Sequence, residues 1–144
     1  MAEFYVAIGD HCSFSKTVSE SDVYLFAGIT GDLAPMHVND EFMKRSSYKQ
    51  RIAHGALIVG YMSAVSSKAI DISSGEGDET PVSLGYDRIR FVAPVFLGDT
   101  ITIDYTIASI DTERRRSEAD IEVKNQNGEV VAVATHIMKW VPNE

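Results

Sequence analysis

The chain has 144 residues, 44% of them hydrophobic, with Gly and Pro in ordinary amounts, which excludes disordered and collagen-like classes and leaves enough apolar material for a real core. Its formal net charge of −8, from 21 acidic and 13 basic residues, argues against non-specific nucleic-acid binding, which rests on basic surface. Cys12 stands alone, so no intramolecular disulfide is available and a reducing compartment suits the chain.

No apolar run of about 18 residues lacks polar interruption. The N-terminus, MAEFYVAIGDHCSF, has neither a positive start nor a cleavage site of the secretory kind. The expectation is one cytoplasmic domain over residues 1–144, with no membrane association.

Residues 3–10 read as a short extended lead-in, and His11–Val18 as a strand by its weak alternation of Cys12, Phe14, Lys16 and Val18. Ser19 to Asp22 supply N-cap candidates for a helix through the apolar cluster Val23–Ala27, which ends near Thr30 where Gly28 and Gly31 weaken it. Gly31–Asn39 reads as a loop. Pro35 lacks an N–H and biases Ala34 away from helical geometry, so Asp32 and His37 do not share a helix face. Asn39-Asp40 caps a short helix over Glu41–Arg45, and polar residues 46–51 lead into a long helix over Gly55–Ala69. That helix is rich in small residues (Gly55, Ala56, Gly60, Ser63, Ala64) and can lie close against another backbone.

Asp71–Thr80 is rich in Gly, Ser and acid and reads as a mobile surface loop. The hydrophobic period then changes to 2. Val82, Leu84 and Tyr86 alternate, and Ile89 and Phe91 follow out of phase, which predicts a bulge near Asp87–Arg90. Ile101–Ile107 and Ala119–Val123 give two more strands. Asn127-Gly128 predicts a type I′ hairpin turn. The last strand follows with Val131, Val133, Thr135, Ile137 and Val141 on its apolar face and Lys139 as an exception. The whole reads as α+β, an antiparallel sheet of five or six strands curled around one long helix.

The chemistry concentrates in residues 26–63. Asp32 and His37 lie five apart across a proline. They read either as an Asx turn with a satisfied loop histidine, or as a general acid–base pair, since histidine titrates near neutrality unaided. His54-Gly55 opens the long helix. It is either a plain helix start, or a place where a side-chain-free residue lets a carbonyl oxygen reach the first free N–H and the positive helix end. His54 is a shaping residue in this reading.

Ser63 lies two turns along, on nearly the same face as Gly55. It is either a small packing residue or a hydrogen-bonding group for a ligand, with Met62 beside it as a pocket candidate. No Gly-x-Ser-x-Gly elbow surrounds Ser63. No His-x₃-His or paired-Cys spacing predicts a metal, and no glycine-rich phosphate turn predicts a dinucleotide or ATP cofactor. The basic clusters Lys44-Arg45, Arg88/Arg90 and Arg114–Arg116 read as solvated surface, with a phosphate-bearing ligand as the alternative.

Two motifs give this pattern a family. The segment Phe26-Ala27 … Gly31-Asp32-Leu33-Ala34-Pro35-Met36-His37-Val38-Asn39 … Ile52-Ala53-His54-Gly55, together with Arg90-Phe91-Val92-Ala93-Pro94-Val95-Phe96-Leu97-Gly98-Asp99-Thr100, resembles the MaoC-like, (R)-specific enoyl-CoA hydratases. The resemblance covers nearly the whole chain in order. It implies a hot-dog fold, a homodimer, and an active site in which Asp32 and His37 hold a water that adds to a trans-2-enoyl thioester. The Gly55 N–H would form the oxyanion hole, and Ser63 falls at a position the family uses near the acyl pocket, with Met62 and His54 as further substrate-binding candidates. No cofactor and no metal are implied, and the setting is fatty acid metabolism.

Ala34 departs from the family's usual Asn, removing a side chain that could brace the loop. The alternatives are a hydratase for a branched or dicarboxylic enoyl-CoA, a hot-dog thioesterase, and a non-catalytic acyl-CoA-binding subunit. A thioesterase would carry a carboxylate on or near the long helix, where this chain has none.

Overall fold

A computed structural model describes residues 4–70 and 77–144. Five antiparallel strands form one sheet: β1 (His11–Thr17), β2 (Glu79–Phe91), β3 (Thr100–Asp111), β4 (Arg116–Lys124) and β5 (Val130–Pro142), in the order β1-β3-β4-β5-β2. Four helices precede β2: α1 (Glu20–Thr30), α2 (Pro35–Val38), α3 (Asp40–Lys44) and α4 (Gly55–Ala69). The sheet curls around α4, which buries Ile58, Tyr61, Met62 and Val65 against Ile101, Ile103, Tyr105 and Ile107 of β3. This is the hot-dog architecture expected from the sequence. No helix among the described residues is long and apolar enough to cross a membrane.

The strong periodic segments form as their patterns require. Ser19 caps α1 in a reciprocal capping box with Asp22, and the helix ends at Gly31, whose N–H still bonds the Ala27 carbonyl. Asp22 does more than cap. It also accepts from Lys16 Nζ at 2.7 Å and from the Tyr61 hydroxyl at 3.0 Å, joining β1, α1 and α4. Burial pushes the Asp22 carboxyl up, but these donors and the Ser19 N–H together hold it below its ordinary value.

The structure corrects four local expectations. Residues 35–38 are not loop but one helical turn, because proline at the first helical position gives up an N–H that would have had no partner there. Glu79 and Thr80 belong to β2, paired with Pro142 and Val141, rather than to the preceding loop; residues 71–76 of that expected loop lie outside the described residues.

The turn at Asn127-Gly128 is not type I′. Only Gly128 has positive φ (76°), and its N–H bonds the Asn125 carbonyl at 3.0 Å. That is a type I turn followed by a left-handed glycine, held by the Asn125 side chain, which accepts from the N–H groups of Asn127 and Glu129. The register shift that follows between Val123 and Lys124 moves β5 by one residue. Its inward face is therefore Ala132, Ala134, His136, Met138 and Trp140, with Val133, Ile137 and Val141 on the outer side. The bulge expected at Asp87–Arg90 is present, with Arg88 at a φ of 54°.

Candidate active site

Three segments distant in sequence are woven together at the N-terminus of α4. The first is the loop and turn 31–38. The second is the strand-like stretch 52–54 that enters α4, and the third is 91–96 after β2. Ile52 is the knot: its N–H donates to the Met36 carbonyl at 3.0 Å, and its carbonyl accepts from His37 Nδ1 at 2.8 Å. The Ala53 N–H donates to the Val95 carbonyl at 2.7 Å, and Ile52 bridges Phe96. The second sequence motif thus supports the first. Its Gly98-Asp99 end is structural: the Asp99 carboxylate accepts from the Phe96 N–H, and its carbonyl accepts from the Val18 N–H.

This weave fixes the chemistry of His37. A carbonyl oxygen only accepts, so Nδ1 carries a proton, and in the neutral ring Nε2 presents the lone pair. His37 is 6% exposed, so that nitrogen faces a sheltered space. Asp32 lies beyond the end of α1 and is exposed. One of its carboxylate oxygens accepts from the Ala34 N–H at 3.3 Å, which is the Asx turn. The turn and the acid–base reading are compatible, because the second oxygen has no partner among the described residues.

His54, the N-cap residue of α4, is 1% exposed; its Nε2 donates to the Asp32 carbonyl at 2.9 Å and its ring stacks on His37 at 3.7 Å. The N–H groups of Gly55 and Ala56 have no acceptor among the described residues, so the positive end of a 15-residue helix is open.

An apolar trench of about 390 Å³ runs past this point, with His37, Gly55, Ala56, Phe91, Val92 and Ala132 in its walls. Phe91 lies directly on Gly55. A Cβ built on Gly55 would fall 2.5 Å from the Phe91 ring, so the glycine admits that ring as well as any ligand.

The structure brings Asp32, His37, His54 and Gly55 together. It does not bring Ser63 and Met62 to them, because eight residues of helix carry Ser63 about 12 Å along the axis from Gly55. Ser63 is exposed near Tyr86, and Met62 is wholly buried in the core. His54 does not line the trench; it stands behind His37 and Asp32. Phe91 is the wall residue that the spacing argument missed, although it sits inside the quoted second motif.

Asp32, His37 and His54 offer three ligand-type atoms within 4.8 Å of one another. The imidazole planes, however, lie 25° apart in a stack, and each ring already commits one nitrogen to a backbone carbonyl. The arrangement suits proton transfer better than metal binding.

A hot-dog fold that sets a carboxylate and an imidazole beside an open helix N-terminus holds the kinds of group that proton transfer next to an oxyanion requires. The chain belongs to the MaoC-like domain family, whose model matches residues 4–131. It is 38% identical over 107 residues to the (R)-specific enoyl-CoA hydratase of Rhodospirillum rubrum, covering 74% of this chain and 69% of that protein. It is 37% identical over 102 residues to the 3-hydroxybutyryl-CoA dehydratase of Methylorubrum extorquens, covering 71% of this chain and 60% of that protein. The structure of the (R)-hydratase of Aeromonas caviae superimposes with a TM-score of 0.81 at 22% identity, over 93% of this chain and 96% of that one. At that identity the likeness establishes the fold.

Proposed function

We propose that the protein is a hydro-lyase that adds water reversibly to trans-2-enoyl-CoA thioesters, giving (R)-3-hydroxyacyl thioesters. The observation that carries this reading is the tautomer of His37: Nδ1 is committed to the Ile52 carbonyl, so Nε2 is left as the base beside Asp32. The thioester carbonyl accepts from the Gly55 N–H, where enolate charge develops. Water sits between the Asp32 carboxylate, which accepts one O–H, and His37 Nε2, which takes the other proton as oxygen bonds to C3. The C2–C3 electron pair moves towards the thioester carbonyl, and the His37 ring returns the proton to C2 on the same face.

The names of the Rhodospirillum and Methylorubrum relatives support this chemistry. Against a thioesterase stands α4 itself, which carries neither Asp nor Glu. Ser63 serves as a polar contact further along the acyl group, with Met62 backing the wall from within the core. The CoA phosphates meet Arg88 and Arg90 on the β2 edge beside Phe91. In the Arg114–Arg116 cluster two of the three side chains are already paired, Arg115 with Glu79 and Arg114 with Asp111.

The working unit is a cytoplasmic homodimer formed along β2. Among the described residues that strand is a sheet edge, paired only with β5, and Leu84, Phe91 and Val92 are exposed on or just beyond it. Light scattering of the purified protein gives the mass that checks the dimer.

The test of function is hydration of a chain-length series of trans-2-enoyl-CoA thioesters with chiral analysis of the product. The (R)-alcohol is expected. Release of free CoA would make the protein a thioesterase, and binding without turnover would make it an acyl-CoA-binding subunit.

A further inference from the structure

We propose that His54 is a positioning residue that sets the placement of Asp32 and the His37 ring, an inference that rests on the hydratase reading of the site. The loop after α1 is held mostly by its own neighbours. Gly31 N–H bonds the Ala27 carbonyl, Asp32 N–H the Thr30 hydroxyl, Leu33 N–H the Gly31 carbonyl and Ala34 N–H the Asp32 carboxylate. Among the described residues, the His54 bond to the Asp32 carbonyl is the one hydrogen bond that ties residues 31–33 to a segment outside 27–37. Ala34, which has no polar side chain of its own, leaves that task to His54.

The same ring does two further things. It stacks on His37 at 3.7 Å and meets Phe26 of α1 at 4.7 Å, so the base cannot tilt without moving His54. Its backbone is the N-cap of α4, one peptide from the Gly55 donor. Acid, base and oxyanion donor are therefore all referenced to one side chain.

A purely space-filling role does not account for the imidazole. The ring is buried, and its Nδ1 has no partner among the described residues, a cost that an aromatic hydrocarbon of similar volume would avoid. A substrate-contact role does not fit either, since His54 is 1% exposed and lies outside the trench walls. What the imidazole supplies, and a phenyl ring would not, is the Nε2–H donor to Asp32. Because the acceptor is a carbonyl, Nε2 must be the protonated nitrogen.

Two variants of the full chain separate these contributions. His54→Phe keeps the stack and loses the donor; His54→Gln keeps a donor of similar reach and loses the stack. The expected result with a trans-2-enoyl-CoA is a loss of about 10- to 100-fold in kcat for His54→Phe, with KM nearly unchanged. His54→Gln should recover part of that loss. A wild-type kcat in His54→Phe, an equal loss in both variants, or a rise in KM at constant kcat would each overturn the proposal.

The unsubstituted protein supplies a test that does not depend on either variant folding. Nitrogen-15 NMR of its imidazoles should show His54 protonated at Nε2, and protonation at Nδ1 instead would overturn the assignment. If the wild-type protein hydrates no enoyl thioester, the functional reading fails, while the ring spectrum still reports whether His54 holds Asp32.

Discussion

Two buried imidazole sites occur in this molecule, and they are built on opposite principles. At the α4 N-terminus, His37 and His54 each spend one nitrogen on a backbone carbonyl, and the other has no partner among the described residues. Inside the sheet, His136 spends both: Nδ1 meets the Tyr105 hydroxyl and Nε2 the Ser83 hydroxyl, each at 2.8 Å, with Tyr86 stacked on the ring at 4.6 Å. The closed site has no capacity left for a ligand and serves the fold. The open one keeps hydrogen-bonding capacity unspent, beside a trench, where a substrate can use it.

Substitutions at the open site should cost activity without stability. His37→Ala and Asp32→Asn are expected to lower kcat about 10²–10⁴-fold each, with thermal midpoints near wild type; a large drop in the midpoint would erase the contrast. Gly55→Ala comes next, at about 10²-fold in kcat/KM, because the added Cβ meets the Phe91 ring. Adding Phe91→Ala in the same chain should restore part of the loss. No recovery would mean that the glycine serves the ligand alone.

The closed site should behave in the reverse manner. Burial pushes the His136 imidazole down to about 4, so the unfolded chain takes up a proton at higher pH than the fold does. Stability from this group is complete above the ordinary histidine range near 6.5 and is lost as pH falls from there towards 4, by about 2 kcal/mol at pH 5. Urea midpoints at pH 7 and pH 5, compared with those of His136→Asn, measure it; an unchanged pH slope in the variant would reassign the effect. The smallest effect is expected at Tyr61→Phe, which removes a bond to Asp22 worth about 1 kcal/mol and should leave kcat untouched.

The sequence makes the open site more legible than the closed one, and the reason is distance along the chain. Asp32, His37 and His54-Gly55 fall within one stretch, and the small-residue run marks α4 to the residue, Gly55–Ala69. His136 sits in a strand whose apolar phase is ambiguous, because Val133, Ile137 and Val141 outline the wrong face. Its partners lie 31 and 53 residues away. The true phase is set by the Asn125 side chain choosing a bulged turn, a local bond that the Asn-Gly signal overrides when read alone. Phe91 and Gly55 likewise meet only through the fold, and nothing in either motif predicts that one ring occupies the other's missing side chain.

The tether of the His37 ring is main chain on its receiving side. Both backbone hydrogen-bonding groups of Ile52 are engaged, the N–H with Met36 and the carbonyl with the His37 ring, while the residue also lines the trench. Substitution at 52 can therefore reshape the wall without releasing the His37 ring, so under the proposed function the choice of substrate and the chemistry performed on it are separable under mutation. Lineages and protein engineers alike can explore the first at this position while the second is carried by atoms that every amino acid except proline possesses.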